Sequence, residues 1–286
     1  MTYPFLKGHG TENDFVLLPD HDGSVHGDLD EARVRALCHR RAGIGGDGVL
    51  RVIRTAALPA DLAALGEGSE WFMDYRNADG SISEMCGNGV RVFALHLIDE
   101  GLVDPDAPIP VGSRDGVKVV TRAADGGLTV DMGSPRLLGH TEVTVDGRTW
   151  PARHVDMGNP HAVAFVDSLD SIGGAGTLLE PPGHDAAVYP DGVNVELVVR
   201  RGPRHVAMRV HERGSGETRS CGTGACAVMV AAAEADGAGS DGAGSAAGAA
   251  YRVDLPGGTL MIELSAEGRV LMTGPAVIVA RGTTDL

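Results

Sequence analysis

One short pattern occurs twice in this chain: a cysteine, then Gly-x-Gly, then an apolar run with helical spacing. Glu84-Met85-Cys86-Gly87-Asn88-Gly89-Val90 and Arg219-Ser220-Cys221-Gly222-Thr223-Gly224-Ala225 have the same form. A β-like run precedes each, Phe72 to Asn77 and Ala207 to Glu212, and Asn77 and Glu212 each stand nine residues before their cysteine. A duplicated strand, loop, cysteine and helix confines the chain to folds made of two similar halves. The first amides of a helix lack intrahelical partners and carry partial positive charge, so each helix start favours an anion. A thiol held there is expected to ionise below its reference of roughly 8.5. Two such thiols predict an anionic ligand met across a pseudo-twofold cleft by a base on one face and an acid on the other.

The remaining segments read as short strands around these two helices. Residues 3–18 predict a hairpin turning at Gly8-His9-Gly10-Thr11-Glu12-Asn13-Asp14, and the spacing of Val34, Leu37 and Cys38 predicts a helix over 31–42 capped by Asp30. The first cysteine-bearing helix is expected from Asn88 to Glu100. Further strands are expected at 49–53, 71–75, within 111–132, near 141–146 and 161–166, then at 193–199, 205–211, 251–255, 259–265, 269–272 and 276–280. Gly133-Ser134-Pro135 interrupts the pattern, which places a first domain at 1–132, joined by a returning C-terminal strand at 273–286, and a second at 133–272. The fold class expected is α+β, two pseudo-symmetric domains, each a β-barrel-like sheet wrapped around a central helix. Gly43-Ile44-Gly45-Gly46-Asp47-Gly48 matches GxGxxG formally, but it follows a helix and precedes a strand, the reverse of a dinucleotide-binding loop, and reads as a ligand-lining turn. The run of Gly, Ala, Ser and Asp at 236–250 buries too little apolar surface to order itself and is expected to be a mobile loop.

Composition narrows the partners. Lys+Arg 24 against Asp+Glu 39 gives a net charge of −15, which argues against nucleic acid and anionic membranes. With no apolar N-terminal run and few cysteines, the chain is expected to be cytoplasmic and reduced. Cys38 and Cys226 fall among apolar neighbours and read as packing, and no Cys spacing predicts a metal site. Lys7 and Lys118 are the only lysines, and neither lies in a phosphate-cradling context that a pyridoxal-phosphate enzyme would need.

Taken together, the motifs resemble those of the diaminopimelate epimerase family. The resemblance rests on His9 to Phe15, Arg41 to Gly48, Asn77-Ala78-Asp79-Gly80, Gly158-Asn159-Pro160-His161, Asn194, Glu212 to Thr218, Gly274-Pro275-Ala276 and the two cysteine loops. It implies cofactor-free interconversion of LL- and meso-2,6-diaminopimelate, with Cys86 and Cys221 as the two proton carriers. It further implies that His161 helps ionise Cys86 and Glu212 helps ionise Cys221. The reacting carboxylate is expected on the amides of Gly87-Asn88 and Gly222-Thr223, where two helix starts would also stabilise the developing carbanion. Arg213 is the expected partner of the distal carboxylate, because guanidinium pairs a carboxylate bidentately. Asn13, Asn77, Asn159 and Asn194 are expected to read the distal amino-acid end, and a homodimer is implied by the resemblance alone. Many family members carry Gln where this chain has Gly48. The alternative reading is another cofactor-free racemase of similar fold, such as a proline racemase-like enzyme, but Arg213 and the four asparagines favour a substrate with a second charged end.

Overall fold

The computed structural model describes residues 2–172, 174–237 and 248–286. Most of the expected mobile run at 236–250 lies outside the described residues. The chain forms two compact units, Met1–Val130 with Gly274–Leu286, and Asp131–Thr273.

The first unit contains β1 (Tyr3–Gly10), β2 (Asn13–Pro19), α1 (Glu31–Cys38), β3 (Gly48–Arg54), α2 (Ala60–Leu65), β4 (Trp71–Asn77), α3 (Gly87–Asp99), β5 (Ile109–Ser113), β6 (Gly116–Arg122) and β7 (Leu128–Asp131). The second contains β8 (Arg136–Val145), β9 (Arg148–Asp156), β10 (Pro160–Phe165), β11 (Gly183–His184), β12 (Asn194–Gly202), β13 (His205–Glu212), β14 (Gly216–Thr218), α4 (Gly222–Ala235), β15 (Ala249–Leu255), β16 (Gly258–Leu264) and β17 (Val270–Gly274). The last strand, β18 (Val277–Thr284), pairs antiparallel with β1 in the first unit.

The duplication seen in sequence extends to the connections. In the first unit β1–β2 is antiparallel, β2–β3 parallel, β3–β4 antiparallel, β4–β5 parallel, and β5–β6–β7 antiparallel. In the second, β9–β10, β10–β12, β12–β13, β13–β15 and β15–β16–β17 repeat that series of directions. A parallel neighbour requires a crossover, and in each unit the cysteine-bearing helix supplies the second of two: α3 between β4 and β5, α4 between β13 and β15. Both halves are therefore α+β units of one topology.

Each of these helices is apolar on nearly every side, the pattern of a helix buried in a core rather than laid on a surface. Val90, Val92, Phe93, Ala94 and Leu97 of α3 are fully buried, as are Ala225, Cys226, Ala227, Val228 and Met229 of α4. Accordingly α3 packs on β1, β2, β3, β5, β6 and β18, and α4 on β9, β10, β12, β13, β15 and β16. Among the described residues, no helix is long and apolar enough to cross a membrane.

Of the differences from the sequence expectation, two have a clear local cause. The helix expected over 31–42 keeps its Asp30 cap, whose side chain accepts from Arg33 N, but ends at Cys38. The glycine-rich segment folds back and takes the last carbonyls: Ile44 N and Gly45 N donate to Leu37 O, and Gly46 N donates to Cys38 O. A Cβ at Gly43 would lie 2.0 Å from Ala36 O, so only glycine permits this approach. The second difference is β9, which was not expected. It pairs with β8 through a turn at Asp146 (φ 48°) and Gly147 (φ 76°), the conformation that Asp-Gly favours in a two-residue hairpin.

Candidate active site

In the first unit, the turn between β1 and β2 sets the position of Asn13. Thr11 (φ 50°) and Glu12 (φ 61°) occupy its corner in left-handed conformations, and His9 Nδ1 accepts from Glu12 N at 3.2 Å. Asn13 opens β2, opposite Gly10. Its Oδ1 accepts from Cys86 Sγ at 3.5 Å and from Asn88 Nδ2 at 3.2 Å, while its Nδ2 donates to Asp47 Oδ2 at 2.8 Å. Cys86 is the N-cap residue of α3 and partly buried. Asn88, two residues along, is itself fixed by the buried Arg91, whose Nη2 donates to Asn88 Oδ1 at 2.9 Å. Asn77 ends β4 and donates through Nδ2 to Ser81 Oγ at 3.0 Å.

The glycine-rich turn delivers charge to this place. Asp14 and Asp47 share Arg40, which reaches Asp14 Oδ1 at 2.8 Å and Asp47 Oδ1 at 2.5 Å, and Lys7 Nζ lies 2.5 Å from Asp14 Oδ2. Burial raises the Asp14 carboxyl, but hydrogen bonds from Arg40 and Lys7 outweigh it and hold the group well below the usual carboxylate range. Asp47 is raised, by burial first and by the Asp14 charge, against the hydrogen bond from Asn13. At Gly48 a Cβ would lie 2.5 Å from both Arg76 O and Tyr75 Cε2. The Tyr75 ring thus stands where a side chain at this position would begin.

In the second unit, Cys221 caps α4 and its sulfur accepts from Gly224 N at 3.4 Å. Thr223 Oγ1 is 3.6 Å from the same sulfur. Glu212, at the end of β13, accepts from the Thr218 hydroxyl of β14 and from the Cys221 thiol. Burial raises the Glu212 pKa, and those two hydrogen bonds pull against it. His161 on β10 is fully buried, with Nδ1 2.7 Å from Glu196 Oε1 and Nε2 2.9 Å from Asn159 Oδ1. Asn194 Oδ1 accepts from Arg213 N at 2.9 Å, and the exposed Arg213 guanidinium donates to Asp191 O at 3.1 Å.

The expectation of an acidified thiol does not hold at Cys221. Burial pushes its pKa well above the ordinary value, and the charges of Glu212 and Glu196 add to the rise, outweighing the amide of Gly224. Partial charges at a helix start are small beside two nearby carboxylates in a site sheltered from water. Cys221 therefore rests as a thiol.

Glu196, fully buried on β12, was missing from the sequence reading. It is within reach of both His161 and Cys221: a Cβ at Gly224 would lie 2.7 Å from Glu196 Oε1 and 3.3 Å from Cys221 Sγ. The signal was a carboxylate inside the apolar run Val193 to Val199, an arrangement that burial penalises without a partner. Thr218 was quoted only as part of a motif, and Asp47 likewise. Lys7 is engaged by Asp14 and the Gly45 carbonyl, and Lys118 by Asp115 at 2.8 Å. Among the described residues no group of three or more His, Cys, Asp or Glu is placed to hold a metal ion.

Comparison with known proteins identifies the family. The family model for diaminopimelate epimerase matches residues 5–138 and 153–279. The diaminopimelate epimerase of Streptomyces coelicolor is 60% identical over 98% of this chain and 95% of its own length, and that of Rhodococcus opacus is 50% identical over 98% and 96%. In fold, the chain is similar over its whole length to a Bacillus anthracis phenazine biosynthesis protein of the PhzF family, with a TM-score of 0.68 at 14% identity and complete coverage of both chains. Two cysteine-capped helices in one repeated topology, with identity of this extent along both repeats, have one reading: the chain belongs to the diaminopimelate epimerase family.

Proposed function

We propose that this protein interconverts LL- and meso-2,6-diaminopimelate by proton transfer between two cysteines, Cys86 and Cys221. Its 60% identity to a diaminopimelate epimerase across 98% of the chain carries the reading. The site geometry supports it from each unit separately.

Cys221 is protonated at rest and touches a carboxylate whose own pKa is raised, so Glu212 is placed to take the thiol proton when Cys221 must act as base. When Cys221 acts as acid, its proton is already in place. Cys86 carries out the complementary half-reaction, with His161 as its assisting group. The reacting carboxylate binds the amides of Gly87-Asn88 and Gly222-Thr223, whose partial positive charge also stabilises the carbanionic transition state. Arg213 pairs with the distal carboxylate; its guanidinium is exposed and, among the described residues, donates to a backbone carbonyl, that of Asp191. Asn13, Asn77, Asn159 and Asn194 read the distal amino-acid end of the substrate. The proton donor and acceptor are both thiols, so the reaction requires no cofactor. Each unit is proposed to close its sheet into a barrel around its cysteine-bearing helix, as a domain of its own, and the active protein to be a homodimer.

The test is incubation of the reduced protein with LL-diaminopimelate in D₂O without added cofactor, followed by NMR. Loss of the α-proton signal with formation of meso product is the expected result. Absence of both, with all four cysteines shown to be reduced, refutes the proposal.

A further inference from the structure

A chain of side chains in the first unit runs from Arg91 through Asn88 and Asn13 to Asp47, and its two ends determine which way the middle points. Arg91 can only donate, so the Asn88 atom 2.9 Å from its Nη2 is the amide oxygen, and the Asn88 nitrogen faces Asn13. At the other end, Asp47 Oδ1 takes a donor from Arg40 at 2.5 Å, and Asp47 Oδ2 takes the Asp14 amide at 3.1 Å. Both oxygens already meet donors, so Oδ2 faces Asn13 as an acceptor, and the atom 2.8 Å away is the Asn13 nitrogen. The remaining Asn13 atom, its oxygen, is the one left facing the Cys86 sulfur at 3.5 Å.

We propose that Asp47 is a positioning residue that locks the Asn13 amide with its oxygen towards Cys86, so that the sulfur at the head of α3 meets an acceptor and keeps its proton at rest. With the amide reversed, the sulfur would meet an N–H donor, which favours thiolate. The proposal rests on the reading of Cys86 as a proton carrier, and it names the device that sets which form that carrier takes between turnovers. Among the described residues, charged groups that face this chain include Asp14, Arg40 and Lys7 beside Asp47, and Arg91 beside Asn88.

The experiment is alkylation of Cys86 by iodoacetamide as a function of pH, in the Cys221→Ala background, with the modified cysteine located by mass spectrometry. Asp47→Asn gives residue 47 a donor as well as an acceptor and removes the shorter of the two contacts that fix the Asn13 amide, leaving the 3.2 Å contact from Asn88 as the one that opposes its turning. The expected result is a midpoint lower by about one pH unit, read as about tenfold faster alkylation below the midpoint. In the Asn13→Ala background Asp47→Asn should then produce no further shift, because the two act as one unit. An unchanged midpoint in folded Asp47→Asn overturns the proposal; so does an equal shift in the Asn13→Ala background, which would mean a through-space effect of the Asp47 charge. Should Asp47→Asn fail to fold, hydrogen exchange at the Asn13 side-chain amide of the unmodified protein decides. Protection of one Nδ2 proton is expected, and free exchange of both overturns the proposal. None of these readouts requires turnover, so a failed epimerase assay and a failed lock are distinguishable.

Discussion

Replacing Thr218 by valine removes one hydroxyl and little volume, and the consequences can be worked out from the structure. That hydroxyl donates to Glu212 Oε1. Burial already raises the Glu212 pKa, and Thr218 and Cys221 supply the hydrogen bonds that oppose it. A hydrogen bond to a charged acceptor contributes about 1.5–3 kcal/mol. Glu212 keeps a second donor in the Cys221 thiol, so the lower end applies. One pH unit corresponds to about 1.4 kcal/mol, which gives an upward shift of Glu212 of about one unit. As a proton acceptor Glu212 must be ionised, so the acid limb of the kcat/KM profile for diaminopimelate should move to higher pH by that amount. Stability should change with the same sign: a carboxyl whose folded pKa is raised costs stability above that pKa. The cost introduced by Thr218→Val should therefore shrink as pH falls through the Glu212 range. Profiles of rate and of thermal unfolding against pH would check both. An acid limb that stays in place, or moves down, in a variant with intact unfolding behaviour refutes the assignment of Glu212 as acceptor.

Other perturbations read other parts of the molecule. Cys86→Ala and Cys221→Ala should each abolish epimerisation with the fold preserved by circular dichroism, and near-normal turnover in either would exclude a two-thiol mechanism. Gly43→Ala should destabilise by about 3 kcal/mol or more, since its Cβ would meet Ala36 O at 2.0 Å and the backbone must shift; denaturant midpoints will show this. Arg213→Ala should raise KM for diaminopimelate strongly, and a monocarboxylate analogue should lose much less, a difference that steady-state assays with both compounds would resolve.

Local patterns spoke most clearly where one residue decides one geometry. Asp30 capping α1, the turn before Asn13, and Gly-x-Gly after each cysteine all follow from the needs of neighbouring backbone. The paired cysteine loops were legible because strand period gives way to helical period within a few residues, twice, in the same order. The end of α1 was not legible: Ile44, Gly45 and Gly46 compete for carbonyls that a local reading assigns to the next helical turn. Strand β9 is poorly legible: Asp146-Gly147 signals its turn, but Pro151 within Arg148–Asp156 weighs against a strand. The direction of the Cys221 shift was not legible because it is set first by burial of the thiol itself, which no spacing reveals, and then by Glu212 and by Glu196, which arrives from β12, distant in sequence. Gly48 is explained only by the structure, through the Tyr75 ring and Arg76 carbonyl that crowd it.

The topology repeats, but the surroundings of the two sulfurs do not. Cys86 faces an amide oxygen in a cluster where Arg40, Lys7 and Arg91 accompany two aspartates, whereas Cys221 faces Glu212 and Glu196. An ancestral duplication of one unit would have begun with two equivalent halves, and the present residues have given the two sulfurs different neighbours. Unequal proton carriers skew a reaction coordinate: the barrier for removing a proton on one face differs from that on the other, even where the overall equilibrium is near unity. Isotope washed in from solvent should accordingly accumulate faster in one stereoisomer than in the other, a kinetic signature of divergence written into a symmetric scaffold.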